Sequence, residues 1–287
     1  MKNLDTLVRD IYHLMETKEI DDHVDLDGVC AEFGREMAEA LKDSLTPDGD
    51  RRGLRLSAIG KPDRKVYNDY HGVEGEPLRG NTYIKFLYGH LVEAMVLALA
   101  KAAGHSVTDQ QKEVQVEGVK GHIDCRLDGI LVDVKSCSAF GFKKFRNHEL
   151  HKDDPFGYIG QLKAYAHAEG DSEYAWLAMD KQNGTLAVLR YDERDTYSDY
   201  YDAINWDAAE RVRHLKKLVG SDMPPQVCYE PVPDGKSGNE KLDTGCSFCE
   251  YKFKCWPSLQ VFHYANGPRF LTKVEREPNV LKIPKEF

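Results

Sequence analysis

The stretch from Gly121 to Ser136 constrains this chain most, with two apolar-rich runs flanking Asp128-Gly129. An Asp-Gly pair between such runs favours a two-residue β-turn, because both central positions take φ > 0. A tight turn sets the strand register: Leu127 faces Ile130, Arg126 faces Leu131, Cys125 faces Val132 and Asp124 faces Asp133. Alternation along the strands then places Ile123, Cys125, Leu127, Ile130, Val132 and Val134 on a core face. His122, Asp124, Arg126, Asp133 and Lys135 share the other.

Two aspartates facing each other across strands repel. They become useful when a divalent cation sits between them, since hard ions such as Mg²⁺ take carboxylate oxygens. Lys135 follows Asp133 by two residues and points the same way. A cation and a lysine on one carboxylate face could bind a phosphodiester, activate a water and neutralise developing charge. The bland alternative is a surface hairpin with incidental charges.

Asp124 followed by Asp133-Val134-Lys135 resembles the PD-(D/E)xK nuclease motif, in the version of RecB-like nucleases and phage exonucleases. Other segments follow in the family's order. The apolar run Leu91–Ala100 contains one carboxylate, Glu93, which is costly to bury unless paired or on a metal. Gly89-His90-Leu91-Val92-Glu93 resembles the family's first motif, in which a helical Glu or His completes the metal site. The structural alternative is a Glu93 that points outward or pairs with Lys101 or Arg126. Gln161 and Tyr165, four apart on a helical face, match the Gln-x3-Tyr signature that supports the site and the DNA backbone.

The segments between these motifs read more simply. Amphipathic helices are expected over about Leu4–Thr17 and Leu26–Leu45, and the longest helix over Asn81–Ala103, stopped by Gly104 and buried. Arg51, Arg52 and Arg55 form a basic stretch of solvated or phosphate-contacting charge. Glu113–Glu117 alternates as a strand, making a three-stranded meander with the hairpin. Phe140–Arg146 interleaves aromatic and basic residues, either as a strand that stacks on bases and contacts phosphates through Lys143, Lys144 and Arg146, or as a β-edge with solvated lysines. Asp154 and Pro155 read as N-cap and first residue of the next helix. Tyr174–Met179 and Thr185–Tyr191 read as strands around an Asn183-Gly184 turn, and Tyr197–Val219 as a charged helix.

Seven cysteines without a signal-peptide pattern suggest reduced thiols or metal ligands. Cys30, Cys125 and Cys137 read as small buried hydrophobes. Cys246, Cys249 and Cys255, with Cys228 upstream, form a metal-ligand pattern similar to the C-terminal part of the cluster motif in iron-sulfur RecB-like nucleases. Ser57–Tyr67 resembles the segment holding that family's first cluster ligand, but Pro62 stands in the cysteine's place, two residues before Arg64. Thiolates suit [4Fe-4S] or Zn²⁺; the resemblance favours the cluster. The tail from Pro257 carries no motif.

The net charge of −9 argues against a broadly basic nucleic-acid binder but leaves room for a nuclease, whose metals supply positive charge. No apolar run reads as a membrane span, and an intracellular, cytoplasmic protein is expected. The resemblance implies an α/β restriction-endonuclease-like core with a mixed central sheet flanked by helices. It divides the chain into an N-terminal helical region (1–50), the nuclease core (51–220) and a cysteine-stapled segment with its tail (221–287). It further implies an Mg²⁺- or Mn²⁺-dependent DNA exonuclease. Glu93, Asp124, Asp133 and the Val134 carbonyl would bind the ions, with His90 as a further candidate. Lys135 would act on the water, Gln161 and Tyr165 in support, and Arg64 on DNA. An endonuclease or a catalytically silent nucleic-acid-binding protein are the alternatives. The implied partners are linear DNA ends and a single-strand annealing or recombination protein, in an oligomer or alone.

Overall fold

The computed structural model describes residues 2–47, 53–197, 200, 203 and 205–285; Arg51 and Arg52 lie outside them. Helices α1 (Leu7–Thr17) and α2 (Leu26–Leu45) form where the apolar spacing put them. After α3 (Asp63–Tyr70) comes the long helix α4 (Gly80–Ala102). Strands β1 (Val107–Thr108), β2 (Glu113–Val116), β3 (Val119–His122), β4 (Cys125–Leu127) and β5 (Ile130–Cys137) follow. Helices α5 (Ala139–Arg146) and α6 (Tyr158–Glu169) lead to strands β6 (Glu173–Asp180) and β7 (Leu186–Asp192), then α7 (Ala208–Val219).

The central sheet has the order β1-β4-β5-β6-β7. Only β5 and β6 run parallel; the other neighbours are antiparallel. A parallel pair needs a crossover, which α5 and α6 supply. This is the expected class, a mixed α/β fold with a mixed central sheet between helices. Three pairs of the hairpin register are as read: Leu127 pairs with Ile130, Arg126 with Leu131 and Cys125 with Val132; β4 starts at Cys125, so the expected Asp124–Asp133 pair is not part of the ladder. Asp128 and Gly129 take φ of 50° and 87°, as the two-residue turn demands.

Both faces of the sheet are buried, which corrects the picture of a hairpin with one core face. Val132, Val134, Ala175 and Leu177 pack with α1 and α4. Leu131, Cys137, Tyr174 and Trp176 pack on the other side with α5, α6 and α7. Asp133 and Lys135 alternate with the valines, so they belong to the α6 side. Ile123 packs there too, away from Cys125, because β3 ends at His122 and Ile123-Asp124 interrupts the strand alternation before β4. The same interruption separates the expected meander: β2 pairs only with β3, in a two-stranded sheet of its own. The fully buried His105 ring ties α1 to the hairpin, with Nδ1 2.7 Å from Asp128 Oδ2 and Nε2 3.4 Å from Asp10 Oδ2.

Further expectations are corrected by packing. Phe140–Arg146 is helical rather than a strand, because Ser138 caps it by accepting from Gly141 N at 3.3 Å and Phe142 and Phe145 bury one turn apart. Helix α7 starts at Ala208, after a break at 205–207, where the Asp207 side chain accepts from Glu210 N at 2.7 Å; residues 198–199, 201–202 and 204 of the expected helix lie outside the described residues. Helix α4 is long and apolar enough to cross a membrane by length and composition, contrary to the sequence reading. Its C-terminal half is packed, whereas Tyr83, Ile84, Phe86 and Tyr88 are about half exposed. Cys30 is exposed on α2; Cys125 and Cys137 are buried as expected.

The C-terminus is more ordered than its composition suggests. Strands β8 (Val232–Pro233), β9 (Glu240–Lys241), β10 (Gln260–Tyr264), β11 (Gly267–Lys273) and β12 (Lys282–Ile283) form a second sheet of order β12-β10-β11-β9-β8. Short helices α8 (Thr244–Ser247) and α9 (Lys252–Cys255) interrupt it and carry Cys246 and Cys255, with Cys249 between them. Leu242, Cys246 and Leu259 are its buried centre.

Candidate active site

Asp133 lies in the middle of β5 and is 2% exposed. Lys135 Nζ stands 2.6 Å from its Oδ2 as an ion pair, yet neither Asp133 oxygen accepts an aligned hydrogen bond. Asp124 lies just before β4, and its Oδ2 accepts from Val134 N at 2.7 Å. Thus the backbone of β5 holds one acid while its side chains present the other acid and the lysine. Glu93 arrives from α4. Its partner is Gln111, whose Nε2 donates to Glu93 Oε1 at 2.7 Å, rather than Lys101 or Arg126. Lys101 pairs with Glu32 at 2.7 Å. Arg126 pairs with Asp171 at 2.7 Å and Glu169 at 3.0 Å.

These four groups are electrostatically one site. Burial raises the Asp124 carboxyl well above its usual range, and the charges of Asp133 and Glu93 raise it further. Burial and the Asp133 charge push Glu93 up to about 6, against the pull of the Gln111 hydrogen bond. Burial also raises Asp133, while Lys135 pulls it back. Burial would depress the Lys135 ammonium, but Asp133 and Asp124 more than reverse that, so it stays charged. The Asp133 charge thus disfavours ionisation of both Asp124 and Glu93, and Glu93 that of Asp124.

On α6, Gln161 Nε2 donates to Tyr165 Oη at 3.3 Å, so the signature pair is formed. Burial pushes the Tyr165 phenol up to about 12. Sequence reasoning missed Tyr158, whose ring centroid lies 4.6 Å from Lys135 Nζ. It also misassigned Asp154 and Pro155. Helix α6 begins at Tyr158, with Gly157 as N-cap at φ 75°, and the Asp154 carboxylate reaches forward to accept from Tyr158 N at 3.0 Å and Ile159 N at 2.8 Å. His90 is exposed on α4. Lys143 and Arg146 are exposed on α5, whereas Lys144 is tied to Asp153. Arg64 donates to Pro225 O and is half-buried.

A second cluster lies in the C-terminal part. Cys228, Cys246, Cys249 and Cys255 all line one cavity of about 30 Å³, with Arg64 and Lys65 also in its wall. Pro62, in the place of the family's first cysteine, lines it too. Burial raises the Cys246 thiol to about 12, and Cys228, Cys249 and Cys255 add to the effect. Four sulfur donors with cationic neighbours fit a thiolate-bound metal or cluster by donor chemistry. Among the described residues, no three His, Cys, Asp or Glu side chains are gathered closely enough to hold a metal ion as they stand.

No family model matches the chain, and no curated protein matches it. Solved structures similar to it include SSO0001, at 14% identity and TM-score 0.40, over 77% of this chain and 95% of that one. An alkaline exonuclease, LHK-Exo from Laribacter hongkongensis, is similar at 13% identity and TM-score 0.37, over 66% of this chain and 94% of that one. The same exonuclease in complex with dAMP is similar at 13% identity and TM-score 0.36, over 66% and 93%.

Proposed function

We propose that the chain is a divalent-metal-dependent deoxyribonuclease, and specifically an exonuclease that hydrolyses phosphodiesters to leave a 5′-phosphate and a 3′-hydroxyl. The observation that carries this reading is the gathering of Glu93, Asp124, Asp133 and Lys135 into one electrostatic unit around β5, with the Asp133 oxygens buried and without aligned hydrogen bonds. Glu93, Asp124, Asp133 and the Val134 carbonyl would hold Mg²⁺ or Mn²⁺, with His90 as an outlying candidate. An ion there would supply a water of lowered pKa and charge to offset the phosphate. Lys135, charged and already against Asp133, would turn its ammonium to the attacking water and hold it in line with the phosphorus. Gln161 and Tyr165 would brace the α6 side of the site. Lys143 and Arg146, exposed beyond it, would contact phosphates.

Cys228, Cys246, Cys249 and Cys255 would hold a [4Fe-4S] cluster in preference to Zn²⁺, stapling the C-terminal region (221–287) that follows the nuclease core (51–220). Linear DNA ends are the proposed substrate, in recombination, repair or end resection.

The test is digestion of end-labelled linear DNA beside closed circular single-stranded DNA, with Mg²⁺, with Mn²⁺ and with EDTA. Metal-dependent loss of the linear DNA alone is expected. Cutting of circles would make the enzyme an endonuclease. No cutting by folded, metal-loaded protein would leave only a nucleic-acid-binding role.

A further inference from the structure

Lys135 carries its charge at the end of a flexible four-carbon chain, so its placement depends on what the ammonium touches. In this structure Asp133 Oδ2 lies 2.6 Å from it. The other close feature is the Tyr158 ring, 4.6 Å from Nζ to centroid. A carboxylate competes with substrate and water for the ammonium's protons. A ring face does not, and it attracts the charge through its quadrupole.

Tyr158 is itself held from several directions. Asp154 accepts from its backbone N–H at 3.0 Å, fixing the first turn of α6. The rings of Phe156 and Phe145 stand 5.5 Å and 6.2 Å away, both tilted. Its phenol is pushed up to about 12 by burial, so the ring stays neutral at working pH. One residue beyond Asp154, Pro155 lines the cysteine cavity, which anchors the segment at its far end.

We infer that Tyr158 is the positioning residue for Lys135, holding its ammonium over the carboxylate site by a cation–π contact, and that Asp154 fixes Tyr158 in turn. The inference rests on the nuclease reading above. It assigns a role to a residue outside the Asp/Asp-x-Lys and Gln-x3-Tyr patterns.

The experiment compares steady-state cleavage of linear DNA by the metal-loaded wild type, Tyr158→Phe and Tyr158→Leu. Tyr158→Phe keeps the ring and should stay within about two-fold of wild type, whereas Tyr158→Leu should lose about ten-fold in kcat with KM unchanged. Fluorinated phenylalanines at position 158 keep the shape while draining the ring face, so they separate charge attraction from packing and folding. Their kcat should fall stepwise with each added fluorine. A flat fluorine series, or Tyr158→Leu at the wild-type rate, would overturn the assignment of Tyr158 while leaving the nuclease intact. A wild-type protein that cuts no DNA would overturn the nuclease reading, and this inference with it.

Discussion

Glu93 has its carboxyl pushed up to about 6, from an ordinary 4.5, by burial and by the Asp133 charge. Below about pH 4.5 the group is protonated in folded and unfolded chains alike, and it costs nothing. As pH rises through the window from 4.5 to about 6, the unfolded chain ionises more readily, and folding stability falls by about 2 kcal/mol. Glu93→Gln removes that cost and can still accept from Gln111. In EDTA at pH 7.5 it should therefore raise stability by about 1–2 kcal/mol in denaturant titrations while cutting cleavage sharply. A less stable Glu93→Gln protein would contradict the electrostatic account. Asp133→Asn should abolish cleavage yet leave DNA binding intact, as a gel-shift assay would read. Lys135→Ala should be nearly inactive even at high Mg²⁺; a wild-type rate would remove it from catalysis. Asp124 lies before β4 and is held by the Val134 N–H rather than placed by strand alternation; Asp133 and Lys135 could be placed on one face from the hairpin alone, because turn chemistry and strand alternation are local. Gln111 and Tyr158 could not, because nothing in their own neighbourhoods announces contacts made 18 residues from Glu93 and 23 from Lys135.

At the scale of elements, the N-terminus of α6 depends on three glycines in mutual contact. A Cβ on Gly160 would overlap Gly60 Cα, and one on Gly157 would overlap the Gly60 carbonyl carbon. The backbones of this loop and helix therefore touch directly, and the contact sets where Tyr158 and Gln161 stand. Gly160→Ala should lower stability by about 1–3 kcal/mol in chemical denaturation, since the overlap outweighs the roughly 1 kcal/mol that alanine gains in a helix. A stability gain would mean that the two backbones part easily. Element type was legible where periodicity was long, as in α2 and in the strands around Asn183-Gly184. It failed for Phe140–Arg146, whose alternating rings suggest a strand while Phe142 and Phe145 satisfy a helical face equally well. Over so short a segment, the Ser138 cap and the core decide.

Over the whole molecule, two hydrophobic cores on opposite faces of one sheet bury the strand that carries Asp133 and Lys135. A third, much smaller core supports the C-terminal sheet, and its Cys246 is also a member of the cysteine cavity. So few buried apolar groups contribute little stability, and a bound metal would contribute much of the rest. Cys249→Ser should thus lower the melting midpoint of the metal-loaded protein by about 5 °C or more, with a smaller effect on the chemical step. An unchanged midpoint would count against Cys249 as a ligand. The primary structure by itself determined the hairpin register, the order of the acidic and lysine motifs, and the cysteine spacing, because each depends on residues near one another in the chain. Tertiary structure alone decided that both sheet faces are buried, that Glu93 meets Gln111 rather than Lys101 or Arg126, that Cys228 joins the distant three cysteines around one cavity, and that Tyr158 lies under Lys135. Those outcomes depend on how helices pack across the sheet, a competition among distant surfaces that no local pattern encodes.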